Sequence, residues 1–234
     1  MTTAADLQRQ VLEIGMLPYF AHRIPGFSVE ENVPPDILWR VYDGPWDWKG
    51  TVIREWKVAY GKFFKRKAGY ISLDLLPDFL NLRRALFPLE RHPGEKRIYD
   101  ILVANDSLLS SEYKALSGFA RKKAAVPGNL TPIEKMLERK ASRQRRDVGF
   151  DTLVARLQMG GWVVIADFEY KHDRQGNRYG WGVARYTTPE ALYGDGILDV
   201  EGRTPLQSRE LLVRHISAAL PDVPPYLIFG LLNL

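Results

Sequence analysis

Apolar residues recur at helical spacing along most of the chain. Leu7, Val11 and Ile14 stand at i, i+4 and i+7, which predicts a first helix over residues 5–15. The same kind of spacing predicts further helices at 45–56, 73–86, 97–105, 110–121, 132–145 and 206–220. The apolar tail 226–234 is much shorter than the roughly 18–20 residues that span a bilayer, so we expect it to pack on the core as a terminal helix.

In the second half of the chain a predicted helix runs directly into a β-hairpin. The apolar stripe of this helix consists of Phe150, Leu153, Val154 and Leu157. Alternation over 162–170, a turn around Gly176 and an extended run over 179–186 then predict two antiparallel strands. A helix followed by a two-stranded wing is how winged-helix modules meet a nucleic-acid backbone, so the pattern favours an α+β fold that binds DNA.

Gly180 and Gly182 interrupt the second of these strands. Glycine in a strand interior often marks a place where another backbone or a side chain approaches closely. We therefore expect a backbone or an aromatic ring to lie against the returning strand.

The order of helix, hairpin and proline occurs twice, at 45–77 and again at 150–189, with negligible identity between the two segments. Two interpretations fit this order: winged-helix modules in tandem, or a single α+β domain with two hairpins. The first interpretation divides the chain into an N-terminal helix-plus-hairpin unit, a winged-helix-like unit and a C-terminal helical cap, at 1–94, 95–190 and 191–234. In the second, all three form one compact domain.

Positive charge is concentrated in one segment. The chain has a net charge of +5, but residues 121–146 alone hold nine Lys or Arg against two Glu, and the rest of the chain sums to −2. This distribution is typical of an electrostatic footprint for phosphates. Because Pro127, Gly128 and Pro132 interrupt the segment and its apolar content is low, a solvated linker is the alternative interpretation.

Several kinds of chemistry are not indicated by the sequence. The chain has no cysteine, which excludes disulfides and thiolate metal sites, and its four histidines are isolated from one another. It contains no phosphate-binding loop, no dinucleotide-binding glycine motif and no serine-hydrolase elbow. Its first ten residues lack the features of a secretory signal. We therefore expect a cytoplasmic protein with no metal, no cofactor and no membrane partner.

Two strings carry a family resemblance. PWDWKGTVIREWKVAYGKFFKRKAGYIS, residues 45–72, and GFDTLVARLQMGGWVVIADFEY, residues 149–170, resemble the winged-helix proteins related to AlkZ-type DNA glycosylases, which unhook alkylated or crosslinked bases. The chain is most similar to their shorter relatives, in which a Pro-Trp-x-Trp helix leads to a Tyr-Gly-Lys-Phe strand. The resemblance covers residues 10–190 and implies winged-helix modules with a DNA-repair role.

The resemblance also implies a catalytic pair that the chain does not have in the expected place. The glycosylases of this group carry catalytic glutamines in a Gln-x-Gln or Gln-x-Asp tripeptide, in a loop shortly after the first helix. Here the only such tripeptide is Gln8, Arg9 and Gln10, inside the predicted first helix. The catalytic role is not carried over to it, and the sequence leaves open whether the protein is an enzyme.

Cations on the hairpins and in the basic segment are the candidate DNA contacts. Between residues 57 and 73 there are five Lys or Arg and no acid, and on the later helix Arg can read guanine and Gln adenine. The predicted contacts are Lys62, Lys65, Arg66, Lys67, Arg139, Arg143, Arg145, Arg146, Arg156 and Gln158. The alternatives are a solvent-facing turn for the hairpin cations, and packing on another helix for Arg156 and Gln158.

Aromatic and acidic residues give weaker signals. Four of the six tryptophans lie close together, at Trp39, Trp46, Trp48 and Trp56. We expect them to pack between helix and sheet, and stacking on an extruded base is the alternative. Hydrolysis of a glycosidic bond needs a carboxylate, and nothing distinguishes one among Asp47, Glu55, Asp167 and Glu169.

The sequence thus predicts a winged-helix protein that binds double-stranded DNA mainly through its backbone, is associated with DNA repair and catalyses no reaction itself. Two other functions stay open. One is a glycosylase-like enzyme that excises alkylated bases with an acid the sequence does not identify. The other is an interaction domain whose basic segment meets an acidic protein.

Overall fold

The computed structural model describes residues 1–40, 42–119 and 148–232, together with Thr131, Ile133 and Met136. These residues form α-helices, two 3-10 turns and two small antiparallel sheets, so the predicted α+β class is confirmed. Nearly all of the basic segment 121–146, and of the helix predicted at 132–145, lies outside the described residues. No helix in the described part of the chain has the length and apolar character needed to cross a bilayer.

The N-terminal unit consists of α1 (Ala4–Ile14), β1 (Met16–Pro18), α2 (Val29–Asn32), α3 (Pro35–Leu38), α4 (Pro45–Arg54), β2 (Val58–Phe64) and β3 (Lys67–Ser72). A capping box of Thr3 and Asp6 begins α1, and Gly15, with a left-handed φ of 89°, ends it. The predictions of α1, α4 and the β2–β3 hairpin are confirmed. Strand β1 and the two short helices were not predicted.

The chain continues through α5 (Leu76–Leu86) and a 3-10 turn (Leu89–Arg91) into a second unit. This unit consists of α6 (Pro93–Val103), β4 (Ser107–Leu109), α7 (Ser110–Leu116), α8 (Phe150–Met159), β5 (Val164–His172) and β6 (Arg178–Thr187). The C-terminal part contains α9 (Pro189–Tyr193), a 3-10 turn (Asp195–Leu198), α10 (Pro205–Ala219) and α11 (Pro225–Leu231). Leu75 holds the N-cap position of α5, without a side-chain hydrogen bond.

Both sheets have the same strand order. In the N-terminal unit β3 lies between β1 and β2, and in the second unit β6 lies between β4 and β5, with all pairs antiparallel. In each unit a helix and a short strand come first, and the last helix leads directly into the hairpin. The order of helix and hairpin that recurs in the sequence is therefore only the second half of each unit. The structure repeats the whole order, in which a helix and a short strand come before that helix and hairpin.

The two units meet through equivalent elements: α4 packs against β5, and α8 packs against β2. At the first contact Arg54 forms an ion pair with Asp167 at 2.7 Å. At the second, the backbone N–H of Lys62 donates to Gln158 Oε1 at 3.0 Å. In each unit, the helix that precedes the hairpin is thus covered by the hairpin of the other unit.

Among the described residues, buried apolar side chains form two clusters. The larger one joins the N-terminal unit to Phe168 of β5, Leu212 and Ile216 of α10 and Ile228 of α11. The smaller one lies inside the second unit, among α6, α7 and α8. The predicted docking of the apolar tail is confirmed, because Ile228 is fully buried in the larger cluster.

Candidate nucleic-acid interface

The tip of the β2–β3 hairpin carries three of the predicted DNA contacts. Lys65 and Arg66 form its turn, and both have left-handed backbone conformations, with φ of 47° and 69°. Residues with a side chain rarely adopt this conformation, and contacts with α8 hold it here. The Arg66 N–H donates to Met159 Sδ at 3.1 Å, and its guanidinium donates to Thr152 Oγ1 at 3.2 Å.

Lys65 and Lys67 line a cavity of about 290 Å³ together with Arg23. We term Arg23, Lys65 and Lys67 the basic patch. All three are exposed, and within the described residues none forms an ion pair with an acid. Lys67 Nζ donates to the carbonyl oxygen of Ala21 at 3.0 Å. Three cations without acidic partners leave their charge available to an external anion such as a phosphate.

His22 lines the same cavity but adds no charge to it. Its Nδ1 accepts a hydrogen bond from the Ile24 N–H at 3.2 Å, so Nε2 carries the proton and donates to the Phe27 carbonyl at 2.9 Å. Burial lowers the pKa of His22, and this effect outweighs the hydrogen bond to Phe27 and the charge of Glu31, which raise it. The imidazole is therefore neutral at pH 7.

The two predicted base contacts on α8 have other partners in the structure. Gln158 is fully buried, accepts the Lys62 backbone N–H through Oε1 and donates from Nε2 to the Val154 carbonyl at 3.3 Å. Its amide holds α8 on β2, so it has no access to a base edge, and its packing partner is a strand instead of the other helix that was the alternative. Arg156 forms an ion pair with Glu95 at 2.9 Å, which joins α8 to α6.

The remaining predicted contacts are only partly placed. The Lys62 side chain is half-buried on β2, next to the hairpin tip. Four lie outside the described residues: Arg139, Arg143, Arg145 and Arg146. For these residues and for the basic segment, contact with DNA stays a prediction.

A second cavity, of about 250 Å³, lies where α4 faces the β5–β6 hairpin. We term it the aromatic cavity, because its walls include Tyr42, Trp46, Tyr170, Tyr179 and Trp181. Its polar lining groups are Asp47, Lys49 and Arg178. Cavities for drug-sized ligands measure about 300–1,000 Å³, so this smaller one suits a single flat ring.

A bulge in β6 shapes one wall of the aromatic cavity. Residues 180–182 of β6 lie opposite a single residue of β5, Tyr170. A Cβ atom at Gly182 would lie 2.8 Å from the Tyr170 ring, so only glycine lets the ring rest against this strand. The close approach predicted from the glycines is confirmed at Gly182.

The bulge also exposes Trp181, which is 79% exposed and meets the edge of Trp46 at a centroid distance of 6.3 Å. Trp181 was not predicted as a functional residue, since one tryptophan between two glycines has no periodicity. Core packing is confirmed for Trp48, which is 3% exposed. It is wrong for Trp39 and Trp56, which are 63% and 57% exposed.

Lys49 is buried in the wall of the aromatic cavity, with 7% of its surface exposed. Its Nζ lies 4.4 Å from the ring centroid of Trp46 and 4.0 Å from that of Phe168. No hydrogen bond or ion pair joins it to any other described residue. Burial lowers the pKa of Lys49 to about 8, and the charge of Asp47 acts in the opposite direction.

The Asp47 carboxylate joins α4 to the β5–β6 hairpin. Arg178 donates to both of its oxygens, at 2.9 and 2.8 Å, and the Tyr170 hydroxyl donates at 3.4 Å. The Asp43 N–H donates to the same carboxylate at 2.9 Å. Asp47 thus fixes the position of the cavity wall.

The other acids considered from the sequence have structural partners or lie in solvent. Asp167 pairs with Arg54 between the units, and Glu169 pairs with Arg185 of the neighbouring strand at 2.6 Å. Glu55 is exposed at the end of α4. Across the described ranges, no group of His, Asp or Glu side chains is arranged to hold a metal ion.

The basic patch and the aromatic cavity are neighbours. Phe20 lines the cavity of the basic patch, and its ring centroid lies 6.0 Å from that of Trp46 in the aromatic cavity. A cationic surface and an aromatic recess are therefore separated by one side chain. Chemically, this arrangement can hold a phosphate at one place and a flat ring beside it.

Sequence reasoning missed Lys49 and Arg178 as well as Trp181. For Lys49 a signal was available, because it falls on the apolar stripe of α4 with Trp48 and Val52. For Arg178 there was none, since its partner Asp47 comes from the other unit.

A family model described as AlkZ related matches residues 1–228, a longer stretch than the 10–190 on which the resemblance was based. No curated protein and no solved structure matches the chain. Because the family model covers nearly the whole sequence, the predicted relation to AlkZ-type proteins is confirmed, and the protein belongs to the AlkZ-related family.

Proposed function

We propose that the protein is a DNA-binding protein associated with DNA repair and built from two winged-helix modules. The family supports the association with repair. The shared order of elements supports the modules, because in both units a helix and a short strand precede the helix and hairpin, and the last strand lies in the middle of the sheet. On this proposal, the modules are the N-terminal unit and the second unit.

The mode of binding we propose does not use the helices that precede the hairpins. Helix α4 is covered by β5, and α8 by β2, so neither helix is free to enter a major groove. Gln158, the residue best suited by type to read adenine, is buried at this contact. On this proposal, exposed groups outside the contact between the two units bind the DNA.

The observation that carries the proposal is the position of the aromatic cavity beside the basic patch. Arg23, Lys65 and Lys67 supply charge for the phosphate backbone. Trp181 and Trp46 supply ring faces and edges for an unstacked base, and such stacking contributes about 1–3 kcal/mol per base. We therefore propose that the preferred ligand is DNA with an unpaired or extruded nucleotide.

Base excision by the mechanism of the related glycosylases is not part of the proposal. Gln8 lies in α1 with its side chain 8% exposed, and residues 15–32, which follow α1, contain no glutamine. The aromatic cavity has a carboxylate in Asp47, but Arg178 engages both of its oxygens. Abasic sites formed in alkylated duplex DNA by stoichiometric protein would instead favour the glycosylase-like alternative.

Fluorescence anisotropy with a duplex that carries one unpaired nucleotide tests the proposal. We expect Trp181→Ala to weaken binding about 5- to 150-fold, which corresponds to the loss of one stacking contact. Trp56→Ala is the matched control, because Trp56 is also exposed but contacts Tyr193 away from the cavity. Equal affinities of the two variants, or no preference of the wild type over a fully paired duplex, would contradict the proposed site.

A further inference from the structure

The environment of Lys49 is unusual for a structural lysine. Buried lysines are ordinarily paired with an acid, because an isolated ammonium is strongly disfavoured away from water. Lys49 is 7% exposed and forms no ion pair or hydrogen bond in the part of the chain that the structure describes, although the charge of Asp47, on the wall of the same cavity, raises its pKa. Two aromatic rings, of Trp46 and Phe168, hold its ammonium instead.

These conditions favour a nucleophilic amine. Burial with a pKa of about 8 leaves roughly a tenth of Lys49 as the free amine at pH 7, whereas an ordinary lysine has less than about a thousandth. A desolvated lysine in an apolar pocket is one of the general ways in which proteins activate an amine toward carbonyl groups. The cavity in which Lys49 lies is also the place proposed above for an unstacked nucleotide.

We propose that Lys49 forms a covalent imine with the aldehyde of an abasic site in DNA, an activity that rests on the DNA binding proposed above. The aldehyde is the carbonyl carbon that DNA exposes once a base has been lost and the deoxyribose has opened. An abasic nucleotide also needs little unstacking energy to leave the duplex. The basic patch, next to the cavity, receives the flanking phosphates.

The reaction balances without any cofactor. The lone pair of Lys49 Nζ attacks the C1′ carbon, and the C–N bond forms as the carbonyl electrons move to oxygen. Nitrogen loses two protons and the oxygen gains two, through solvent, so the oxygen leaves as water. The product is an imine that links the protein to the DNA, and its hydrolysis by water restores both.

Borohydride trapping tests this reaction. Sodium borohydride reduces an imine to a stable amine, so the wild type incubated with a duplex carrying one abasic site should give a protein–DNA band in a denaturing gel. We expect Lys49→Arg to reduce this band at least 100-fold, because a guanidinium keeps the contacts with Trp46 and Phe168 but is not nucleophilic. Lys96→Arg, at an exposed lysine on α6, should trap like the wild type.

The pH profile gives a second readout. Trapping by Lys49 should rise about tenfold per pH unit well below pH 8 and level off above it, while an ordinary surface lysine would continue to gain reactivity toward pH 10.5. A profile that continues to rise toward pH 10.5, as for an ordinary lysine, would exclude Lys49 as the reacting amine. Equal trapping by wild type and Lys49→Arg would exclude it as well.

Failure of this inference can be separated from failure of the proposed function. A duplex with a tetrahydrofuran residue has the shape of an abasic site but no aldehyde, so it measures binding alone. Tight binding of this duplex by wild type and Lys49→Arg, with no trapping by the wild type on the true abasic site, would overturn the imine and leave DNA binding intact. Absence of binding to either duplex would overturn both.

Discussion

At the scale of single residues, Lys49 places a cation in the buried face of α4, against two aromatic rings. Periodicity predicts α4 and its apolar stripe, on which Lys49 lies with Trp48, Val52 and Ile53. A lysine at such a position is a visible departure from the pattern. Its second aromatic neighbour, Phe168, could not be predicted, because that ring comes from a strand of the other unit and local periodicity carries no information about distant contacts.

We expect Lys49→Met to stabilise the protein at pH 7. Burial lowers the pKa of Lys49 from 10.5 to about 8, so at pH 7 the folded state holds a charge that it disfavours relative to the unfolded chain. Methionine removes the charge and packs well against the rings of Trp46 and Phe168. The gain is on the order of 3 kcal/mol, at roughly 2–4 °C in Tm per kcal/mol, and thermal unfolding measures it.

The stability that Lys49→Met gains over the wild type should decrease as the pH rises. Between pH 8 and 10.5 the unfolded chain binds the Lys49 proton more than the folded chain does, so the wild type becomes more stable relative to Lys49→Met as the pH rises. The difference in Tm between the two proteins should therefore shrink above pH 8. Lys96→Met, at an exposed position, is the control and should show no such trend. A loss of stability in Lys49→Met at pH 7 would mean that the cation–π contacts outweigh desolvation.

At the scale of elements, long periodic patterns could be predicted from the sequence and short ones could not. The apolar pattern extends over two or more helical turns in α1, α4 and α8, and over several alternating positions in both hairpins. Strands β1 and β4 have three residues each, which is too few for alternation to be recognised. These two strands complete the sheets, and without them the sequence showed the hairpins but not the shared topology of the units.

The cations at the tip of the β2–β3 hairpin can be tested by reversing their charge. We expect the double change Lys65→Glu and Lys67→Glu to weaken binding to duplex DNA and to make its salt dependence shallower. Each lost phosphate contact reduces the log–log slope by about 0.9, so the slope should fall by about 2. Arg66 is left in place because it anchors the turn on α8. Anisotropy titrations between 50 and 200 mM salt, about the range over which such contacts lose affinity, measure the slope.

The matched control for the hairpin is Lys96→Glu with Arg214→Glu. Both residues are exposed, on α6 and α10, and the pair carries the same change in charge. Its salt slope should stay close to that of the wild type. If both double variants reduced the slope equally, the effect would come from net charge, and the hairpin tip would not be a specific contact.

At the scale of the whole molecule, the junction between the units decides which residues are available for function. The sequence predicted Gln158 as a base contact from residue type and position, but its burial depends on which faces of the units meet. That choice is made by contacts far apart in sequence, such as the one between Gln158 and Lys62. The same junction creates the aromatic cavity, since Asp47 and Arg178 come from different units.

The shared core predicts that the units unfold together. Ile216 of α10 is fully buried in the cluster that joins the N-terminal unit to β5, so Ile216→Ala should cost about 2–5 kcal/mol and lower Tm by roughly 4–20 °C. Because the cluster is continuous, hydrogen exchange should accelerate in both β3 and β6. Leu206→Ala, in the same helix but 59% exposed, is the control and should change stability by less than about 0.5 kcal/mol. Acceleration confined to β3 would mean that the second unit folds independently, around its own smaller cluster of α6, α7 and α8.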